Sequence, residues 1–253
     1  MSSLFSSEHE SHAHSLQTLN TLYEYDDFME SVSSVADLGC GAEGLDIEWW
    51  ATRTTRDDIP QPLNIRCVAI DQISTCRSAH KYKNITYENH DFEQPVTIKK
   101  GYDVLWCHDA FQYALNPLAT LANWWHMTAD SGMLALIVPQ TTNLDHMTMA
   151  YDQRNYAYYN HTMVSLMHML AVSGWDCAGG HFKKDPDDPW LHALVYKSKQ
   201  PPRDPKTTSW YDLSDAGLLP ESAMKSIFRH GYLRQQDLVL SWIDKSLTWM
   251  GKQ

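Results

Sequence analysis

The segment Val35-Ala36-Asp37-Leu38-Gly39-Cys40-Gly41-Ala42-Glu43-Gly44 constrains this chain more than any other. An apolar run ends in an acid, and a Gly-x-Gly turn follows at once. A second apolar run downstream also ends in acid, Cys67-Val68-Ala69-Ile70-Asp71. Glycines after a first strand let backbone approach a ligand closely. An acid at the end of the second strand can accept from ribose hydroxyls. Together they predict a nucleoside-cofactor site at the carboxyl edge of a parallel sheet.

The acid two positions before the first glycine narrows the cofactor. In a dinucleotide site that position faces a pyrophosphate, and a carboxylate there would repel it. A ligand with an amino group and a sulfonium would instead favour Asp37. On these residues the chain resembles the class I S-adenosylmethionine-dependent methyltransferases, whose first motif runs acid-x-Gly-x-Gly-x-Gly. Asp37, Gly39 and Gly41 match it; Glu43 stands where the third glycine belongs, and Gly44 comes one position late. The resemblance covers about residues 33–198. It implies S-adenosylmethionine as cofactor and a doubly wound, mostly parallel seven-stranded sheet closed by an antiparallel hairpin strand.

Further site residues follow from that resemblance. Asp71 would take both ribose hydroxyls, with Gln72 beside the adenine edge. Asp91 would accept from the adenine amino group, and Phe92 would cover the ring. The stretch Cys107-His108-Asp109-Ala110-Phe111-Gln112-Tyr113-Ala114-Leu115-Asn116-Pro117 looks like the family's fourth motif, with Gln112-Tyr113 replacing the commoner Glu-His pair. Cofactor methionine and acceptor meet at this turn, so His108 is a candidate for both cofactor contact and general base. A structural histidine bonded to backbone is the alternative. His146, in the polar loop after the fifth strand with Asn143, Asp145 and Arg154, is a second base candidate. Tyr151, Tyr156, Tyr158 and Tyr159 follow it and could shape an acceptor pocket or simply pack.

Composition excludes several classes. Hydrophobic residues make up 43% of 253, enough for a sizeable core. The longest apolar run, Met133 to Val138, is far below the roughly 20 residues of a membrane helix. No signal peptide stands at the N-terminus. The five cysteines follow no disulfide or metal spacing, which suits a reducing cytoplasm. A net charge of −11, from 20 basic and 31 acidic residues, disfavours nucleic acid as partner. The motifs of amino-directed and cytosine-C5 DNA methyltransferases are absent.

Along the chain, residues 1–32 read as a mobile Ser/His/Glu-rich tail to about residue 14, then an amphipathic helix over 15–29. His9, His12 and His14 could trap a metal, but a disordered polar tail is the reading preferred. Residues 33–198 hold the alternating strands and helices. Residues 199–253 hold a Pro/Lys linker and a slightly basic helical segment, with helices over 220–230 and 236–250. The second would carry Leu238, Trp242, Ile243, Leu247 and Trp249 on one face.

Three functions fit this pattern. The first is a methyltransferase for a small-molecule acceptor. The second is an RNA or protein methyltransferase that docks through its basic C-terminal helices. The third is a non-catalytic binding or assembly subunit on the same fold.

Overall fold

In the computed structural model the described residues are 2–96, 100–140, 159–184 and 190–243. Seven strands form one sheet: β1 (Ser34–Leu38), β2 (Arg66–Asp71), β3 (Ile85–Asn89), β4 (Tyr102–His108), β5 (Thr128–Pro139), β6 (Trp175–Lys184) and β7 (Trp190–Lys197). Their order is β3-β2-β1-β4-β5-β7-β6. Every neighbouring pair through β5 is parallel, and β7 runs antiparallel to both β5 and β6. The expected doubly wound sheet with one antiparallel strand is therefore present. Its strand order reverses between β1 and β4, and ligands of open α/β sheets bind at such a switch point.

The central strands are apolar on both faces, as strands covered by helices on each side must be. Ala36, Leu38, Leu105, Cys107, Leu134 and Leu136 face one core. Helices α5 (Pro117–Met127) and α6 (Met163–Val172) cover that face. Val35, Val104, Trp106, Met133, Ala135 and Ile137 face the other. There α1 (Ser2–Tyr23), α2 (Asp26–Ser31) and α3 (Leu45–Ala51) pack. Asp37 and His108 share the parity of Val35 and of Val104 and Trp106. They reach the carboxyl edge on the side of α1 and α3. The short α4 (Arg77–Lys81) joins β2 to β3. No helix among the described residues is long and apolar enough to cross a membrane.

Two expectations need correction. The backbone of residues 2–14 is not a tail; it is the first half of α1. Polar contacts of α1 leave no hydrophobic period to read: His12 and Ser15 meet Asp46, and Thr18 Oγ1 lies 3.0 Å from His192 Nδ1. Among the described side chains of α1, Leu19 and Leu22 are the buried apolar ones.

The second correction concerns the C-terminus. Helix α7 (Trp210–Asp215), not expected, and α8 (Glu221–His230) are present. They bury Leu213, Ala223 and Ile227 in the main core. Past a 3-10 turn at Gln235–Asp237, however, residues 238–243 are not helical. Leu238, Leu240 and Trp242 alternate inward while Val239 is 77% exposed. That is the period of an extended chain, not a helix. The segment lies along β6: Phe182 N–H donates to Ser241 O at 2.6 Å, and Ser241 Oγ donates to Gly180 O at 3.2 Å. Leu218 O takes Cys177 N–H at 3.1 Å. The C-terminal segment thus satisfies part of an otherwise open sheet edge. Leu247 and Trp249 lie outside the described residues.

Candidate active site

The glycine turn is held by three of its own N–H groups. Gly39 and Cys40 donate to Ile70 O, at 2.8 and 3.3 Å, and Gly41 donates to Asp71 Oδ2 at 3.0 Å. Gly39, Gly41 and Gly44 all adopt positive φ, at 81°, 68° and 64°, a region open to glycine without a Cβ penalty. A Cβ on Gly39 would lie 2.3 Å from Ala110 Cβ, and one on Gly44 would lie 2.5 Å from Cys76 Sγ. The late third glycine therefore has a place of its own. It is the left-handed N-cap of α3. Glu43, in the position the family motif gives to glycine, is buried and ion-paired with Arg77 at 2.8 Å.

Asp37 is 3% exposed. The Ile47 backbone N–H supports it, yet its Oδ2 has no hydrogen-bond partner. Burial, then the negative charges of Asp46, Cys76 and Asp71, push its carboxyl well above the usual range. Asp46 is the opposite case. Burial would raise it, but Trp106 Nε1 donates to Oδ2 at 2.8 Å, His108 Nδ1 lies 3.1 Å from Oδ2, and Ser15 Oγ donates to Oδ1 at 2.6 Å. His12 Nδ1 also bonds to Oδ1. Hydrogen bonds from His108, His12 and Ser15 and the charge of His108 hold Asp46 well below the usual carboxylate range. Two neighbouring buried acids are thus pushed in opposite directions, Asp46 down and Asp37 up.

His108 is buried, which alone would lower its pKa; the hydrogen bond and charge of Asp46, then the charge of Asp109, raise it instead. Its ring packs at 5.5 Å from that of Trp190. A cleft of ≈ 180 Å³ opens at the switch point, and Asp37, Gly39, Gly41, Asp46, His108 and His12 are among its lining residues.

The remaining expected residues lie at the end of β2 and on the loops after β2 and β3. Asp71 is half-buried and accepts N–H bonds on both oxygens, from Gly41 at 3.0 Å and Ile73 at 3.3 Å. That leaves each oxygen one lone pair. Gln72 is exposed beside it. Phe92 lies by the turn, its Cδ1 3.9 Å from a Cβ built at Gly39, and its ring packs on Trp124 at 6.1 Å. Asp91 Oδ1 accepts from Glu93 N–H at 2.9 Å within its own loop. None of Asp71, Gln72, Asp91 or Phe92 lines the cleft itself. His146 lies outside the described residues, as do Asn143, Asp145, Arg154, Tyr151, Tyr156 and Tyr158.

Sequence reasoning missed Asp46, the acid that orients His108. Its signal was an acid on the inward face of a helix, one turn before Trp49 and Trp50. It also missed His161, buried and stacked on Phe111 at 5.5 Å. Burial pushes His161 down to about 4, and its Nε2 has no partner.

No protein-family model matches the sequence, and no curated protein matches it. Solved structures do match. A chain from the complex of the Haloferax volcanii Trm112 methyltransferase activator with a methyltransferase is 14% identical, with a TM-score of 0.53 over 67% of this chain and 87% of that one. An O-methyltransferase family protein from Burkholderia thailandensis is 12% identical, with a TM-score of 0.56 over 73% and 56%. The N-methyltransferase NodS from Bradyrhizobium japonicum, in its complex with S-adenosyl-l-homocysteine, is 14% identical, with a TM-score of 0.51 over 72% and 86%. The chain has the class I methyltransferase fold. The glycine turn after β1, the acid ending β2 and the turn after β4 lie at the carboxyl ends of the three adjacent strands β2, β1 and β4 and so stand at one edge of this sheet.

Proposed function

We propose that the chain is an S-adenosylmethionine-dependent methyltransferase acting on a small-molecule acceptor. The observation that carries this reading is Asp37: a buried carboxyl with an unpartnered oxygen, beside a glycine turn, lining the same cleft as His108. An orphaned buried acid is costly unless a ligand completes it. A cationic ligand suits it, because positive charge offsets the burial and the Asp46 and Asp71 repulsion that push its carboxyl up.

Asp37 and the Gly39–Gly41 turn would hold the amino-acid end of the cofactor. The spare lone pairs of Asp71 would accept from the ribose hydroxyls, with Gln72 at the adenine edge. Asp91 and Phe92 would bound the base, Phe92 by its ring. When bound, S-adenosylmethionine supplies an electrophilic methyl group. The chain's own part is alignment and proton handling. His108, held through Nδ1 by Asp46, would take a proton from the acceptor, and the Asp46 carboxylate would stabilise the resulting imidazolium. Asp46 acts only through His108 and is a positioning residue. His146 would be a second proton acceptor from the acceptor side. The chain's acidity favours a small acceptor over RNA.

Incubation with S-adenosylmethionine and a panel of phenols, amines and thiols tests the reading. It predicts release of S-adenosylhomocysteine with at least one small acceptor, and a loss of turnover in His108→Gln that exceeds the loss of cofactor affinity. Transfer only to RNA or protein would replace it with the second function. Absence of binding would leave the non-catalytic one.

A further inference from the structure

We propose that His12 of α1 supplies the donor for the carboxylate of the cofactor's methionyl group, which makes the N-terminal helix part of the cofactor site. The inference rests on the cofactor reading above and deepens it.

The cleft is acidic. Asp37, Asp46 and Asp109 line it, and no Lys or Arg does so among the described residues. That suits the amino group and the sulfonium but leaves the carboxylate without a cationic partner. Backbone donors of the turn do not supply the want: Gly39 and Cys40 N–H are committed to Ile70 O, and Gly41 N–H to Asp71. Arg77, the cation of the adjoining helix, is ion-paired with Glu43. Two imidazoles remain on the cleft, His108 and His12. Both bond to Asp46 through Nδ1.

Asp46 thus occupies Nδ1 of both rings. Each ring also keeps a second N–H donor at Nε2 when protonated. His108 belongs to the turn after β4 and is needed for the acceptor proton. His12 comes from an element outside the α/β core, and Ser15 on the next turn of α1 secures the same Asp46 oxygen at 2.6 Å. The inward polar face of α1 has a reason under this assignment: it covers a polar ligand rather than a core.

The test compares two cofactors that differ only by a carboxylate. Binding of S-adenosylmethionine and of its decarboxylated form is measured by calorimetry on the full chain and on His12→Ala and His12→Gln. The native chain should prefer the carboxylated form. His12→Ala should weaken S-adenosylmethionine by about 10–100-fold, the range for a charge-assisted hydrogen bond, and the decarboxylated form by less than about 2-fold. His12→Gln, which keeps a neutral donor, should fall between. Equal weakening of both ligands would mean that His12 acts only by anchoring α1, and would overturn the proposal. Unchanged affinity for S-adenosylmethionine would overturn it as well. Should His12→Ala not fold, the same comparison in His12→Gln decides. If the native chain binds neither ligand, the cofactor reading itself fails.

Discussion

Replacing Asp46 by alanine removes the acceptor shared by four side chains. Three of the donors, Trp106 Nε1, His108 Nδ1 and Ser15 Oγ, sit in buried residues. A buried donor left without its acceptor costs about 1–3 kcal/mol, and breaking a buried charge pair from one side costs about 3–5 kcal/mol. Relief of the repulsion between Asp46 and Asp37 returns part of this. We expect a net loss of about 3 kcal/mol, read as a lower urea midpoint by tryptophan fluorescence. The effect has a pH signature. The His108 pKa is raised above 6.5 in the folded chain. The charged part of its pairing is therefore full below the unfolded value of 6.5, and it is lost as pH rises through the folded pKa. The gap between native chain and Asp46→Ala should accordingly be widest at mildly acid pH. In the variant, burial acts on His108 without its counter-charge, so its imidazole resonances should titrate at lower pH. A loss under about 1 kcal/mol, or an unmoved His108 titration, would refute the shared-acceptor account.

Gly39→Val should abolish S-adenosylhomocysteine binding. Because its Cβ would meet that of Ala110 at 2.3 Å in a positive-φ turn, it should also lower Tm, so a native Tm with intact binding would contradict the turn geometry. His161 is neutral in the fold, pushed down to about 4, so stability is full above 6.5 and is lost as pH falls toward 4. Thermal melts should show His161→Phe losing less stability than the native chain between pH 7 and pH 5, and parallel losses would reject the assignment. Truncation after residue 237 should uncover the β6 edge and the apolar side chains Leu238, Leu240 and Trp242 pack on. It should show as faster hydrogen exchange at the Phe182 amide and lower solubility; native protection there would sink it.

The sheet was legible because its central strands are continuous apolar runs with glycine or proline punctuation, a pattern with few other solutions. The turn after β1 was legible for a related reason, since positive φ selects glycine. What escaped were the first half of α1 and the extended segment at 238–243. The half of α1 from residue 15 on was legible from Leu16, Leu19 and Leu22, whereas His12 in the first half turns inward to Asp46, and a polar contact carries no hydrophobic period. Residues 238–243 offered both periods at once: Leu238, Trp242 and Ile243 fit a helix, while Leu238, Leu240 and Trp242 fit a strand. Bonding to β6 decided for the extended form, and a tertiary partner of that kind leaves no local mark. Asp46 was missed because its role depends on His12 and His108, which are distant in sequence and meet only in the fold.

Calorimetric titration with S-adenosylhomocysteine, on the native chain and on Asp37→Asn, bears most directly on the account. Asparagine keeps the size of the protonated acid and spares the fold, but it cannot ionise to meet a cationic group. The account predicts one site per chain and affinity about 10–100-fold weaker in Asp37→Asn. A folded native chain that binds no S-adenosylhomocysteine, or an Asp37→Asn variant that binds it equally well, would contradict the assignment of this cleft.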